Sequence, residues 1–208
     1  MDGIILINKE KKYTSHDVVA KVKKILKVKV GHTGTLDPNA TGILPLLLGN
    51  ATKISKYLIN HNKTYKVKLE LGKKTDTADT EGKIVEEKEV TNKMLEKTVI
   101  KEVLNKFLGK QEQIPPIYSA IKVNGKKLYE YARKGQTVKI KPRQIEIYSI
   151  ELLSIDKKLK QIEFEVSCSK ATYIRSLCED IGNKLRNCSI YERIAKNQGW
   201  GFFYNKCN

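Results

Sequence analysis

The 208-residue chain contains no apolar run approaching the roughly 20 residues of a membrane-spanning helix. Its N-terminal stretch MDGIILINKEKK has too short an apolar run, and no preceding basic segment, for a secretory signal. A soluble, cytoplasmic protein with no membrane partner is predicted. Cysteine is scarce: Cys168, Cys178, Cys188 and Cys207 show no CxxC spacing and no adjacent histidine. That pattern suggests neither a zinc site nor a redox pair, so reduced thiols are expected, two of them in the core. The three histidines, His16, His32 and His61, are too few and too scattered to assemble a metal site. No Gly-Lys-Ser/Thr phosphate cradle, GxSxG elbow or HExxH pair occurs, and the acids in Thr75–Gly82 do not have calcium-loop spacing. Chemistry without metal or cofactor is the expectation.

Basic residues are abundant. Lys and Arg number 40 against 23 acids, a formal charge of +17. The resulting positive field attracts polyanions, with nucleic acid and anionic membrane surfaces as the usual partners. Lysine is also spread evenly enough that part of the excess reads as solvated surface. With 40% hydrophobic residues, the chain is long enough to bury a real core.

The hydrophobic pattern is mixed α and β, without repeats or long linkers. Ser15 is placed to cap a helix in which Val18, Val19, Val22, Ile25 and Leu26 share a face. ILPLLLG reads as a buried strand, and Asn50 as the cap of a short helix through Ile54, Tyr57 and Leu58. Tyr65, Val67, Leu69 and Leu71 alternate with polar residues as a half-buried strand, as do Ile162, Phe164, Val166 and Cys168. Thr91 to Gly109 reads as one helix with a glycine stop. Residues 113–136, QIPPIYSAIKVNGKKLYEYARKGQ, combine two prolines, an Asn124-Gly125 turn and a basic-aromatic helix, the signature of a surface excursion suited to binding. Near the end, Ile174, Leu177, Cys178, Ile181 and Leu185 form one helical stripe that leaves Arg175 off it in the first turn. An arginine there opposes the helix dipole unless an anion pairs with it.

The segment Val30–Gly42, VGHTGTLDPNATG, sets one carboxylate, Asp37, among three glycines beside His32. Asp-Pro alone is a common turn. Glycines that admit a close backbone approach, a basic chain, and His32 and Tyr65 as stacking surfaces together point to chemistry at one nucleotide of an RNA.

The run GHTGTLDPNATGILPLLLGNATKISKYL resembles the catalytic segment of the TruB family, the bacterial tRNA pseudouridine-55 synthases. KTYKVKLELGKKTDTADTEG resembles that family's tyrosine strand and acidic turn, IPPIYSAIKVNGKKLYEYARKG its RNA-gripping insertion, and CSKATYIRSLCEDIG its arginine motif. The resemblance implies the pseudouridine synthase α+β fold, a mixed and mainly antiparallel sheet with flanking helices and a central RNA-binding cleft. Periodicity by itself supports α+β. The resemblance further implies one catalytic domain over residues 1–208 with an insertion near 113–140 and no PUA domain.

It makes Asp37 the nucleophile, Arg175 the partner of its carboxylate, and Tyr65 the ring that stacks on the uracil. His32 would stabilise the RNA after the target nucleotide is flipped out, and Tyr173 would line the uridine pocket. Lys9 is retained from an early Lys-Pro pair that reads Lys9-Glu10 here, and is expected to bind substrate. Lys122, Lys126, Lys127 and Arg133 in the insertion are candidates for phosphate contacts. The family's Leu-Arg-Arg segment is replaced by Ile190-Tyr191-Glu192-Arg193, to which no pocket role is transferred.

Isomerising uridine needs only detachment, rotation and re-attachment of the base, so a carboxylate, a pairing guanidinium and an aromatic ring suffice. Attack at the ribose C1′, addition to the pyrimidine ring and elimination to a glycal all remain open. The expected partner is the T-arm of tRNA, bound by a monomer with no guide RNA. The competing readings are a non-catalytic RNA-binding or tRNA-chaperone module, which does not need Asp37 paired with Arg175, and a guide-dependent synthase of the dyskerin type.

Overall fold

The computed structural model describes residues 1–58 and 61–198, with side chains in the last strand described through Glu192. Along the chain run β1 (Gly3–Lys9), α1 (Ser15–Leu26), β2 (Val30–His32), β3 (Thr41–Leu48), a 3-10 turn (Gly49–Ile54) and α2 (Ser55–Leu58). Next come β4 (Lys63–Leu71), β5 (Lys73–Thr75), β6 (Ile84–Glu87), a second 3-10 turn (Asn92–Leu95), α3 (Lys97–Asn105) and β7 (Gly109–Gln113). The chain continues with β8 (Lys122–Val123), β9 (Lys126–Lys127), α4 (Leu128–Arg133), β10 (Arg143–Asp156), β11 (Gln161–Cys168), α5 (Ile174–Lys184) and β12 (Ser189–Gln198).

Eight strands form one sheet in the order β1-β3-β12-β4-β11-β10-β7, with β2 also paired to β3. Among the strand pairings described in this sheet only β12–β3 is parallel, and an isolated parallel bridge joins Asp79 to Tyr191 of β12. The alternation expected around Tyr65 and around Phe164 is present: Val67, Leu69, Ile162, Phe164 and Val166 are fully buried. α5 covers this face through Leu177, Cys178 and Ile181. It lies close to β12 because Gly182 has no side chain; a Cβ there would overlap Ser189, whose hydroxyl donates to Cys178 O at 2.7 Å.

One opening in the sheet matters for the site. On the inner edge of β3, β2 pairs with Leu46–Leu48 while β12 pairs with Thr41 and Gly42. Between them sits Pro45, which has no amide to donate, and the chain leaves the sheet there as the loop carrying Asp37.

Three local expectations are corrected. Thr14, not Ser15, caps α1, in a reciprocal capping box with Asp17. Asn50 caps nothing; its amide donates to Asp2 at 3.0 Å. The stretch 91–109 is not one helix, because Glu96 is extended (φ −73°, ψ 135°) between a 3-10 turn and the nine-residue α3. The Asn124-Gly125 turn does form, with both residues at positive φ (50° and 80°), as a tight hairpin requires. Cys168, Cys178 and Cys188 are free and buried, the first two in the main core; Cys207 lies outside the described residues.

Candidate active site

Asp37 opens a turn closed by Ala40 N donating to Asp37 O at 3.0 Å, with Pro38 at the position where its fixed φ is favourable. The turn is anchored from two sides. Leu36 N donates to Ser15 Oγ (2.8 Å) and Ser15 Oγ donates back to Leu36 O (3.1 Å), tying the loop to the start of α1. Lys9 Nζ, only 1% exposed, donates to Glu10 O, Tyr13 O and Pro38 O at 3.0, 2.7 and 3.2 Å. All three of its donors are occupied, and burial lowers its pKa while the Asp37 charge raises it. Lys9 does not line the cleft, so its expected substrate contact is corrected to a brace under the loop.

Arg175 reaches Asp37 across the base of the cleft. Its Nε lies 3.0 Å from Asp37 Oδ2 and its Nη2 3.4 Å from Oδ1, and Nη2 also donates to Tyr118 O at 2.9 Å. The guanidinium is 9% exposed and the carboxylate 36%, so the pair is shielded on the arginine side and open on the other. This is the anion that an arginine in the first turn of α5 requires. The N-terminus of α5 is itself held by Gln113, whose amide receives Tyr173 N (2.8 Å) and donates to Tyr173 O (3.0 Å). Gln113 sits at the end of β7, far away in sequence, and no pattern in the chain marks it.

A cleft of about 570 Å³ opens above the pair. Asp37, Arg175, Tyr65, His32 and Tyr173 all line it. Tyr65 is 8% exposed; burial pushes its phenol pKa well up, with the Asp37 charge contributing, so the hydroxyl stays protonated at neutral pH. His32 Nδ1 is 3.0 Å from Gly34 O, a geometry in which that nitrogen carries the proton. The insertion supplies one wall through Tyr118, Ser119 and Tyr129. Lys122, Lys126, Lys127 and Arg133 lie outside the cleft lining, with Lys127 and Arg133 each 5.3 Å from the Tyr129 ring centre.

Residues 21–174 match the family model described as TruB family pseudouridylate synthase (N terminal domain). The chain belongs to this family. It is 53% identical over 186 residues to tRNA pseudouridine synthase B of Clostridium tetani, covering 89% of this chain and 63% of that protein. It is 50% identical to the protein of the same name from Clostridium perfringens, covering 97% of this chain and 68% of that one. The chain thus spans under two thirds of the Clostridium tetani relative's length. Among solved structures it matches a chain of a Cbf5-Nop10-Gar1 complex with a TM-score of 0.73 at 29% identity, covering 98% of this chain and 50% of that one. A chain of an H/ACA RNP bound to a substrate RNA containing 2'-deoxyuridine matches with a TM-score of 0.70 at 27% identity. The α+β architecture is therefore the pseudouridine synthase fold.

Two features of the TruB-family site escaped sequence reasoning for different reasons. Lys63 and Lys170 line the cleft, hidden among many lysines. Tyr191, in the segment that departs from the family's Leu-Arg-Arg, is fully buried, and its hydroxyl has no hydrogen-bond partner among the described residues. Burial raises its pKa, and the Asp37 and Asp79 charges add to the effect.

Proposed function

We propose that this chain isomerises uridine 55 in the T-loop of tRNA to pseudouridine, with Asp37 as the nucleophile. The observation that carries the reading is the Asp37–Arg175 pair at the base of an open cleft in a member of the TruB family. A binding module needs no cleft-lining carboxylate paired with a buried guanidinium. The relatives named tRNA pseudouridine synthase B support tRNA as the substrate class.

The target nucleotide leaves its stack and enters the cleft, at a cost of a few kcal/mol that is lowest in a loop. Arg175 pairs with Asp37 and orients its carboxylate. The C1′–N1 bond breaks and a C1′–C5 bond forms; C5 loses its proton, N1 gains one, and no electrons leave the substrate. Tyr65 presents its ring to the detached base and its neutral hydroxyl as a donor, not as a base. His32 and Tyr173 flank the entering nucleotide. We take residues 1–208 as one catalytic domain whose insertion near 113–140 grips the T-arm. We further take the enzyme to act as a monomer in the cytoplasm, a setting that the tRNA-modifying relatives and the buried free thiols support.

The test is tritium release from C5-labelled tRNA or T-arm hairpin, with no second RNA present. The wild-type chain should release tritium. Asp37→Asn should abolish release while leaving RNA affinity within a few-fold. Release by the Asn variant at a near wild-type rate would remove Asp37 from the chemistry, and activity that requires an added RNA would make the enzyme guide-dependent.

A further inference from the structure

Three buried side-chain oxygens have no hydrogen-bond partner among the described residues: Ser119 Oγ, Tyr191 Oη and Glu192 Oε2. Glu192 Oε2 has Lys68 Nζ at 3.9 Å, and Tyr191 does not line the cleft. Ser119 does line it, and is only 7% exposed. Buried polar groups are nearly always paired, so an unpaired hydroxyl in the wall of a cleft marks a place for a ligand's polar atom. The backbone on either side of that hydroxyl is fixed. Tyr118 O, on the peptide entering Ser119, accepts Arg175 Nη2 at 2.9 Å, and the same nitrogen lies 3.4 Å from Asp37 Oδ1. Ser119 O accepts Tyr129 N of α4 at 3.1 Å, and Ile121 O accepts Leu128 N at 2.8 Å. Ser119 therefore stands one peptide away from the Asp37–Arg175 pair. Its hydroxyl turns about a single bond among three staggered positions, so it meets a ligand in the cleft with no backbone movement.

Depth selects the part of the nucleotide that it meets. A flipped nucleotide enters base first, because its ribose is tethered to the strand outside, and Ser119 is more buried than the Asp37 carboxylate. Uracil offers two carbonyls, O2 and O4, on either side of N3. Isomerisation turns the ring about its C6–N3 axis, which puts C5 where N1 was and exchanges O2 with O4. A donor aimed at the carbonyl beside the glycosidic bond thus meets O2 in the substrate and O4 in the product. Arg175 is poorly placed for that role, since its Nε and Nη2 are engaged by Asp37 and Tyr118 O. We propose that the Ser119 hydroxyl donates to this carbonyl, O2 before the ring turns and O4 after, and is a uracil-binding residue. The assignment rests on the cleft being the uridine site of a pseudouridine synthase.

The experiment measures binding in the Asp37→Asn background, with and without Ser119→Ala, to T-arm hairpins whose target is uridine, 2-thiouridine, 2′-deoxyuridine or pseudouridine. Sulfur is a weak acceptor, so 2-thiouridine weakens the O2 contact while keeping the ring. Ser119→Ala should lower affinity for the uridine hairpin about 3- to 10-fold, the range of one neutral hydrogen bond, and for the pseudouridine hairpin by the same factor. The same substitution should lose less than about 2-fold on 2-thiouridine and the full factor on 2′-deoxyuridine. Because Ala removes a buried hydroxyl with no partner among the described residues, the variant should melt at or above the temperature of its parent. A lower melting temperature gives the hydroxyl a structural partner and overturns the assignment. So does an equal loss on uridine and 2-thiouridine, or a loss that disappears with the 2′-hydroxyl. A loss on uridine but none on pseudouridine overturns the exchange of carbonyls. Tritium release by the wild-type chain without coupling between Ser119 and O2 removes this contact and leaves the isomerase. Coupling without tritium release keeps the contact and removes the isomerase reading.

Discussion

The floor of the cleft and the insertion that walls it both carry positive charge, yet they hold it in opposite ways. At the floor and beneath its loop, Arg175 and Lys9 are 8% and 1% exposed, and each is fixed by three or more bonds within the protein. In the insertion, Lys122, Lys126 and Arg133 are exposed, and Arg133 rests only on an aromatic face among the contacts described. Buried charges must be paired to be tolerated, and once paired they hold a geometry. Exposed charges contribute little to the fold and remain available to a polyanion. One class of residue therefore serves shape in one region and affinity in the other.

The contrast is broken most severely by Arg175→Ala. It strips Asp37 of its cation and Tyr118 O of its donor, and it removes the guanidinium from a buried site. Breaking a fully buried pair costs about 3–5 kcal/mol; here about 2–3 kcal/mol is expected, because the carboxylate is 36% exposed to solvent. Tritium release should fall by at least about 100-fold in an RNA-saturated assay. Arg175→Lys should recover stability better than activity, since an ammonium cannot reproduce the side-on contact of Nε and Nη2 with both carboxylate oxygens. A Lys variant with full turnover would show that charge alone matters at this position.

Much of this floor was legible in the chain. Arg175 in the first turn of a helix demanded an anion, and Asp37 stood out in a glycine-rich loop. Strict alternation exposed β4 and β11 because one face of each is fully buried. What stayed hidden depends on backbone atoms distant in sequence. Lys9 resembles a substrate contact until its ammonium is seen on the carbonyls of Glu10, Tyr13 and Pro38. Gln113 resembles a polar strand end until it meets Tyr173 N and O, sixty residues on. The break at Glu96 was invisible because Leu95, Ile100, Val103 and Leu104 keep a helix-like spacing across it, all facing the core. Lys63 and Lys170 were hidden by abundance, since a chain rich in lysine gives no residue of that type distinction.

A smaller effect is expected from Lys9→Met, which keeps the stem and removes the ammonium. Glu10 O and Tyr13 O lose a charged donor. Pro38 O keeps Lys12 N at 2.9 Å, so the turn loosens without coming apart. A charged hydrogen bond contributes about 1.5–3 kcal/mol, and relaxation toward water recovers part of it, so a loss of about 2–3 kcal/mol by chemical denaturation is expected. Turnover should fall about 10-fold with RNA affinity unchanged, because the displaced group is the Asp37 turn and not a phosphate contact. A loss confined to RNA affinity would return Lys9 to the substrate.

The opposite pattern is expected on the wall, and it is the smallest effect on the protein itself. Lys122, Lys126 and Arg133 changed together to Gln should shift stability by no more than about 0.5 kcal/mol, the usual range for exposed substitutions away from packing features. Lys127 is left in place because its ammonium donates to Tyr129 Oη at 3.2 Å and covers that ring, which belongs to the cleft lining. The triple variant should keep the wild-type single-turnover rate at saturating hairpin, since none of the three residues lines the cleft. Its affinity should fall, and the slope of log affinity against log salt should flatten by about 0.7–0.9 for each phosphate no longer neutralised. The triple variant and Lys9→Met thus form a crossed pair, one losing affinity at constant rate and the other losing rate at constant affinity. A triple variant with an unchanged salt slope would make these side chains solvated surface and leave the cleft lysines to carry the electrostatics of binding. One that lost its single-turnover rate at saturation would show that the insertion shapes the floor, and that the two regions are not separable.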